Sequence, residues 1–362
     1  MTVPALAFCC LYASGILHAM APKSWHPPQD SPAKLAELAQ RSSLTWLGRP
    51  PGRSRFFGVA VPGNALHEWF SGPPKGGKSH EGTHIHPQLL MDFQSWGATK
   101  KQDRMPTHQL SEDKQVGIRA EMFTWQPWQP PTIGSSASRQ ENAQRQYSNQ
   151  AIVGGMQDPY IRRWADAVRQ FPRITVYIRF GHEMNGTWYP WSFDPQEYVL
   201  AWRHIWNIFQ QQRVRNAKFV WSADFGEGPP DPSWQNNLMA YWPGRKYVND
   251  IGTTMINFGG EDSHTVSQFT PRIELVHQLF NMPVMLTEVN TEKQGRCRWM
   301  LDLAKFVEQT SWINGVVWSQ QPSYGAGNMP TGDMNWQVWT DKSPRARRAF
   351  HMLARAAKGD GI

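Results

Sequence analysis

Eight short runs with the composition of buried strands recur between residues 55 and 319, most of them separated by stretches with helical spacing. That recurrence restricts the fold more than any other feature of the chain. The runs are RFFGVA (55–60), QLLMDF (88–93), QVGIRAEMF (115–123), ITVYIRF (174–180), AKFVWSA (217–223), IGTTMINF (251–258), PVMLTEV (283–289) and INGVVWS (313–319). Helix signals cover 158–170, 195–212, 271–280 and 296–309, and a basic helix closes the chain. The second of these carries its own start signal: Asp194 as N-cap, Pro195 at the first helical position and Glu197 three residues after the cap. Strands alternating with helices point to a mostly parallel sheet. Eight of them predict an α/β (β/α)8 TIM barrel over residues 55–357. Two smaller domains are the alternative, but no linker divides residues 151–350 and no internal repeat stands out.

Charge and composition remove other classes. Lys and Arg number 37 against 29 Asp and Glu, a net charge of +8, yet they are scattered. The densest patch, Lys342, Arg345, Arg347 and Arg348, has the spacing of the solvated face of a last helix. Nucleic-acid binding needs a concentrated footprint, so none is expected. Nineteen Trp and 12% aromatic residues exclude a disordered chain. Three cysteines, of which Cys9 and Cys10 are adjacent, make no disulfide framework. No glycine-rich nucleotide-binding motif is present, and neither a cofactor nor a metal is expected.

Residues 4–20, PALAFCCLYASGILHAM, are mostly apolar, and no basic residue precedes Lys23. Ala19-Met20-Ala21 has the form of a signal-peptidase site. Residues 1–21 are therefore read as a signal peptide or membrane anchor. Lipid attachment at Cys9 or Cys10 and a misassigned start are the other readings. The expected location is secreted or in the cell envelope, with association through the N-terminus, and cytoplasmic if the segment is no signal. Residues 22–54, rich in Pro, Ser, Lys and Arg, read as a polar leader or N-terminal wrap.

The chemistry concentrates at two strand ends. Glu183 follows the fourth strand in RFGHEMNGTWYPW, and Glu288 closes the seventh in VMLTEVNT. In a closed barrel the strand ends of one rim converge on a single cleft, and strands four and seven face each other across it. Two carboxylates on opposite walls are what glycosidic cleavage requires, one protonated and one ionised. A histidine, an asparagine, a glycine and two tryptophans around Glu183 are dense for a structural turn. Asp224 and Glu121 are weaker candidates. His182 reads equally as metal ligand, base or packed imidazole. His80, His84 and His86 form a local cluster that suits either a metal or a polar loop. Trp125, Trp128, Trp188, Trp191, Trp221 and Trp318 all fall near predicted strand ends, where flat aromatic faces stack on pyranose rings. Trp164, Trp202 and Trp206 have helix positions that suit core packing.

These residues carry a resemblance. DPYIRRWA (158–165), IRFGHEMNGTWYPWS, AWRHIWNIFQ, FVWS, YWPGRKYV (241–248) and TEVNT together resemble glycoside hydrolase family 26, retaining endo-acting enzymes typified by β-mannanases. The likeness covers roughly residues 55–350. It implies Glu183 as general acid/base and Glu288 as nucleophile. His182 would bind sugar hydroxyls, Trp188 would line the subsite, Trp318 would close its floor and Arg179 would orient the carboxylates. Asn185, Trp191, Trp221, Asn257, Trp125 and Trp128 complete the expected substrate-binding set. Two positions depart from the family pattern. Ile256 stands where members often carry a tyrosine after strand six, with Asn257 beside it, and Gln126 replaces an acid at the end of strand three. The expected function is hydrolysis of a β-linked polysaccharide, β-1,4-mannan first. A β-1,4 or mixed-linkage glucan, an exopolysaccharide-processing hydrolase or transglycosylase, and a catalytically weak polysaccharide-binding barrel are the alternatives.

Overall fold

The computed structural model describes residues 55–60, 85–98, 105–129, 144–260, 263–320, 338 and 343–360. Residues 1–54, expected as a signal or anchor followed by a polar wrap, and His80 and His84 lie outside the described residues. Eight parallel strands close into a barrel in sequence order: β1 (Phe56–Ala60), β2 (Leu89–Ser95), β3 (Ala120–Gln126), β4 (Thr175–Phe180), β5 (Ala217–Asp224), β6 (Asp250–Asn257), β7 (Val284–Thr291) and β8 (Ile313–Ser319). Among the described residues the helices are α1 (Thr107–Val116), α2 (Asn149–Val153), α3 (Asp158–Arg169), α4 (Pro195–Gln211), α5 (Pro232–Ala240), α6 (Val266–Phe280), α7 (Arg296–Gln309) and α8 (Pro344–Lys358). The expected TIM barrel is the observed fold. No described helix is long and apolar enough to cross a membrane.

The two-residue period of each strand splits the core in two. Ala60, Leu89, Met91, Met122, Tyr177, Val220, Met285 and Val317 fill the barrel interior. The intervening residues, among them Phe123, Ile178, Phe219, Leu286 and Val316, turn outward and pack under the helices with Trp164, Trp202, Leu303 and Phe350.

Two element boundaries differ from expectation. The third strand begins at Ala120, because the preceding residues form α1, which ends at Gly117 in the left-handed conformation (φ 80°). Leu110 is fully buried, and with few other apolar residues in THQLSEDKQV α1 shows little hydrophobic period. Helix α6 begins five residues before Pro271. Thr265 caps it, in a capping box with Gln268. Proline lacks the N–H that would bond the Ser267 carbonyl, and the Thr270 hydroxyl donates to that carbonyl instead (3.3 Å).

Candidate active site

Strand β4 builds the first wall. Arg179 points into the barrel and Phe180 points out under the helices. The chain then turns sharply through two left-handed residues, Gly181 (φ 49°) and Glu183 (φ 54°). A Cβ on Gly181 would stand 3.0 Å from the Tyr198 ring and 3.3 Å from Trp191. For Glu183 the positive φ costs about 1 kcal/mol or more. The turn is held by Glu183 N donating to Ser222 O (2.8 Å) and Gly186 N donating to Glu183 O (3.0 Å). Asn185 clamps the same turn to the end of β5. Its Nδ2 donates to Asp224 O (2.6 Å) and its Oδ1 accepts from Asp224 N (2.9 Å). Asn185 therefore spends its amide on the backbone, not on the cleft.

Strand β7 builds the opposite wall through a bulge. Thr253 pairs with Leu286, but Thr254 pairs with Glu288, so Thr287 is the extra residue in the register, its hydroxyl donating to Thr253 O (3.0 Å). Strict alternation from the inward Met285 would send Glu288 outward beneath the helices. The extra residue re-aims it. Val289 turns out into the helix layer, and Glu288, 2% exposed, faces Arg179 across the barrel.

Arg179 is fully buried, and each of its three nitrogens donates. Its Nε donates to Ser222 Oγ (2.9 Å), Nη1 to Thr124 Oγ1 (3.2 Å) and Glu288 Oε2 (3.1 Å), and Nη2 to Thr254 Oγ1 (3.1 Å). A buried guanidinium is tolerated only with such pairing. The Thr254 hydroxyl in turn donates to Glu183 Oε1, and Trp188 Nε1 donates to Glu183 Oε2 (2.8 Å). One donor atom from each of His182, Glu183 and Glu288 lies within 4.8 Å of the other two.

The two carboxyls differ in environment. Burial, then the charges of Glu288 and Asp224, push Glu183 up to about 7, against the opposing pull of Arg179 and the Thr254 bond. Glu288 has the guanidinium against it. Burial, with Arg179 adding to it, holds the His182 imidazole well below its ordinary value, so the ring is neutral. It is 1% exposed, and among the described residues neither ring nitrogen has a hydrogen-bond partner. Asp224 is raised to about 6, chiefly by burial.

The aromatic set divides. Trp188 is 47% exposed and lies so close over Gly186 that a Cβ there would stand 2.5 Å from its ring. It presents a face beside Glu183. Trp128, half-buried, meets Tyr189 and Trp191 edge-on, with centroids 5.5 Å away in both cases. Trp191 is covered: Tyr189 stacks on it (4.3 Å, 13°), and its Nε1 donates to His182 O (2.8 Å). Trp125, Trp221 and Trp318 are not brought to the cleft. All three are fully buried on the outward faces of their strands. Trp125 packs against Trp164 and bonds Tyr160, Trp221 bonds Tyr241 O, and Trp318 meets Phe350 of α8. The expectation counted proximity to a strand end and ignored parity, which decides the face.

Asn257 also serves the scaffold. Its Nδ2 donates to Thr291 Oγ1 (3.0 Å) and its Oδ1 accepts from His264 N (2.8 Å), tying β6 to β7 and the loop before α6. Glu121 faces outward toward Asp113 of α1, away from the cleft. Ile256 is buried (8% exposed) and shares the inner face of β6 with Thr254. Among the described residues, Tyr189 from the loop after β4 comes near both carboxylates. Burial and the charges of Glu183 and Glu288 raise its phenol well above the usual value. Tyr189, Thr254, Ser222 and Thr124 escaped the sequence reading. Thr254, Ser222 and Thr124 share the inward parity of the upper barrel, a signal open to a reader who extends the strand period to polar residues.

The eight-stranded barrel carries Glu183 and Glu288 at one rim, linked through Arg179 and Thr254, and its fold is that of family-26-like (β/α)8 glycosidases. The family model described as Glycosyl hydrolase family 26 matches residues 143–300, a span that holds both Glu183 and Glu288. The chain is 23% identical over 280 residues to "Endoglucanase H" of Acetivibrio thermocellus, covering 67% of this chain and 28% of that protein. It is 29% identical over 109 residues to "Mannan endo-1,4-beta-mannosidase A and B" of Caldalkalibacillus mannanilyticus, 25% of this chain and 20% of that one. It thus spans under a third of the length of either curated relative. In fold it is similar to a β-mannanase from Bacteroides ovatus (TM-score 0.55, 16% identity, 90% of this chain and 92% of that one).

Proposed function

We propose that the chain is a retaining endo-β-glycosidase acting on a β-linked polysaccharide, with β-1,4-mannan as the first substrate. The approach of Glu183 and Glu288 oxygens to within 4.8 Å carries this reading. Retaining glycosidases hold their carboxyls about 5–5.5 Å apart, whereas inverting ones leave about 6.5–9.5 Å for a water. Glu288, against the Arg179 guanidinium, attacks the anomeric carbon. Glu183, raised to about 7, protonates the departing glycosidic oxygen. Covalent capture of the sugar removes the Glu288 charge that helps raise Glu183, so Glu183 then titrates lower and accepts a proton from the incoming water. Trp188 offers its exposed face to a sugar ring and fixes the orientation of Glu183.

A β-glucan is the second reading. It is favoured by the longer match to the endoglucanase, 280 residues against 109 for the mannosidase. An extracytoplasmic site of action accords with a polymer substrate and with the apolar N-terminal segment. The test is product release from β-1,4-mannan, mixed-linkage β-glucan, carboxymethyl-cellulose and β-1,3-xylan, with Glu183→Gln and Glu288→Gln as controls. Cleavage of one polymer, lost in both variants, supports the hydrolase and names its substrate. Products longer than a starting oligosaccharide identify a transglycosylase. Binding without cleavage of any polymer overturns the reading in favour of a polysaccharide-binding barrel.

A further inference from the structure

His182, Glu183 and Glu288 are a constellation of three metal-capable side chains, each offering one donor atom within 4.8 Å of the others. The proton transfers of the glycosidase chemistry use the two carboxylates and not the imidazole. His182 is 1% exposed, and neither ring nitrogen has a hydrogen bond among the described residues. A buried polar atom left unpartnered is costly, and a ligand that satisfies it gains accordingly. The ring is held in place by Tyr189 (4.7 Å between centroids), Trp191 (5.8 Å) and Phe93 (6.0 Å), so its donor direction is set before any ligand arrives.

We propose that His182, Glu183 and Glu288 form an inhibitory binding site for a first-row divalent cation, of which Zn2+ is the type. One imidazole nitrogen and two carboxylate oxygens are a donor set that Zn2+ accepts, with a fourth position left for water. Donors on a tetrahedral zinc stand about 3.3 Å apart at bond lengths of about 2.0–2.1 Å. The glutamate oxygens therefore close in by roughly 1.5 Å at most, a shift that side-chain rotation supplies while His182 stays fixed. The existing bonds to the carboxylates survive this. Trp188 and Thr254 each occupy one of about four lone-pair sites on Glu183, and Arg179 donates to Glu288 Oε2.

Arg179 opposes a second cation. Its charge weakens the site relative to dedicated zinc centres. Coordination releases any proton on Glu183 to solvent and changes no oxidation state. It also takes both carboxylates out of service at once, so the cation inhibits reversibly and a chelator restores the enzyme.

The test uses the full chain and ZnCl2 alone, by isothermal titration in a chelator-free buffer, so that it does not depend on knowing the sugar. The expected result is saturable binding of one zinc, weakened at least tenfold by Glu183→Gln and again by Glu288→Gln, with circular dichroism confirming that each variant is folded. A triple variant, His80→Ala, His84→Ala and His86→Ala, removes the histidine-rich segment as a competing source and leaves the binding unchanged. Anomalous scattering at the zinc edge then locates the ion between the two glutamates. Absence of saturable binding up to millimolar zinc overturns the inference. So does binding that survives Glu288→Gln and disappears in the triple-histidine variant. Either failure leaves the glycosidase reading intact, because that reading stands or falls on polysaccharide cleavage.

Discussion

Replacing Thr254 with valine probes the hinge of the electrostatic arrangement. The Thr254 hydroxyl accepts from Arg179 Nη2 and donates to Glu183 Oε1. Valine keeps the shape and removes both bonds. A hydrogen bond to an ionised carboxylate favours the charged form, so its loss raises the Glu183 pKa. Such a bond contributes about 1.5–3 kcal/mol, and one pKa unit corresponds to about 1.4 kcal/mol. Allowing for partial replacement by water, Glu183 rises by about one unit above its present value of about 7. Arg179 retains Ser222, Thr124 and Glu288, so the opposite wall stays in place. The assay is a pH titration of 13C-carboxyl-labelled glutamate by NMR, paired with the basic limb of kcat/KM on whichever glycan is cleaved. Both move to higher pH in Thr254→Val, and Thr254→Ser, which keeps the hydroxyl, returns both. A Glu183 titration that stays put or moves down in Thr254→Val refutes the reasoning.

Gly186→Ala places a Cβ about where the Trp188 ring lies, 2.5 Å away. The ring must shift and release Glu183, and kcat/KM falls roughly tenfold, in line with one lost hydrogen bond, while thermal stability changes little. The hydroxyl of Tyr189 has no hydrogen bond recorded among the described residues. Tyr189→Phe therefore leaves the melting temperature within about 2 °C, a change of well under 1 kcal/mol, and lowers kcat/KM on the polymer if the phenol meets substrate. Asp113 is fully buried and its carboxyl is raised from 3.8 to about 7, chiefly by burial. The folded state then binds a proton that the unfolded state releases between these values. Stability from this group is complete below pH 3.8 and declines as pH rises toward about 7. Asp113→Asn keeps an acceptor for Gln109 and removes this group's share of the dependence. At pH 8 it stabilises by on the order of 3 kcal/mol, read as a urea midpoint that falls less steeply between pH 4 and pH 8 than in the parent, the remaining slope coming from Glu121, Asp224 and Glu183.

The barrel was legible because its strands are buried on both faces and its later helices carry unambiguous caps, as Asp194-Pro195 does for α4. Glu183 and Glu288 were legible because strand order in a closed barrel places the ends of β4 and β7 on one rim. What escaped was facing. The bulge at Thr287 that turns Glu288 inward leaves no trace in composition, and a uniform period would have pointed that side chain under the helices. The same parity sends Trp125, Trp221 and Trp318 outward. Trp188 reaches the cleft because it lies on a loop free of that constraint. Helix α1 escaped because its stability comes from a buried Leu110 and a glycine cap, with too few apolar residues to show a period. Thr254 escaped for a different reason. A threonine in a strand reads as β-propensity until the arginine and glutamate that flank it are seen in space.

The proposed chemistry is a double displacement between Glu183 and Glu288. The most direct measurement is the anomeric configuration of the first-formed product, followed by 1H NMR within seconds of adding enzyme to the β-glycan that the chain cleaves. The β anomer appears first and mutarotates later if Glu288 attacks and Glu183 delivers the water. The α anomer appearing first contradicts the account, because inversion requires a water between carboxyls that approach within 4.8 Å.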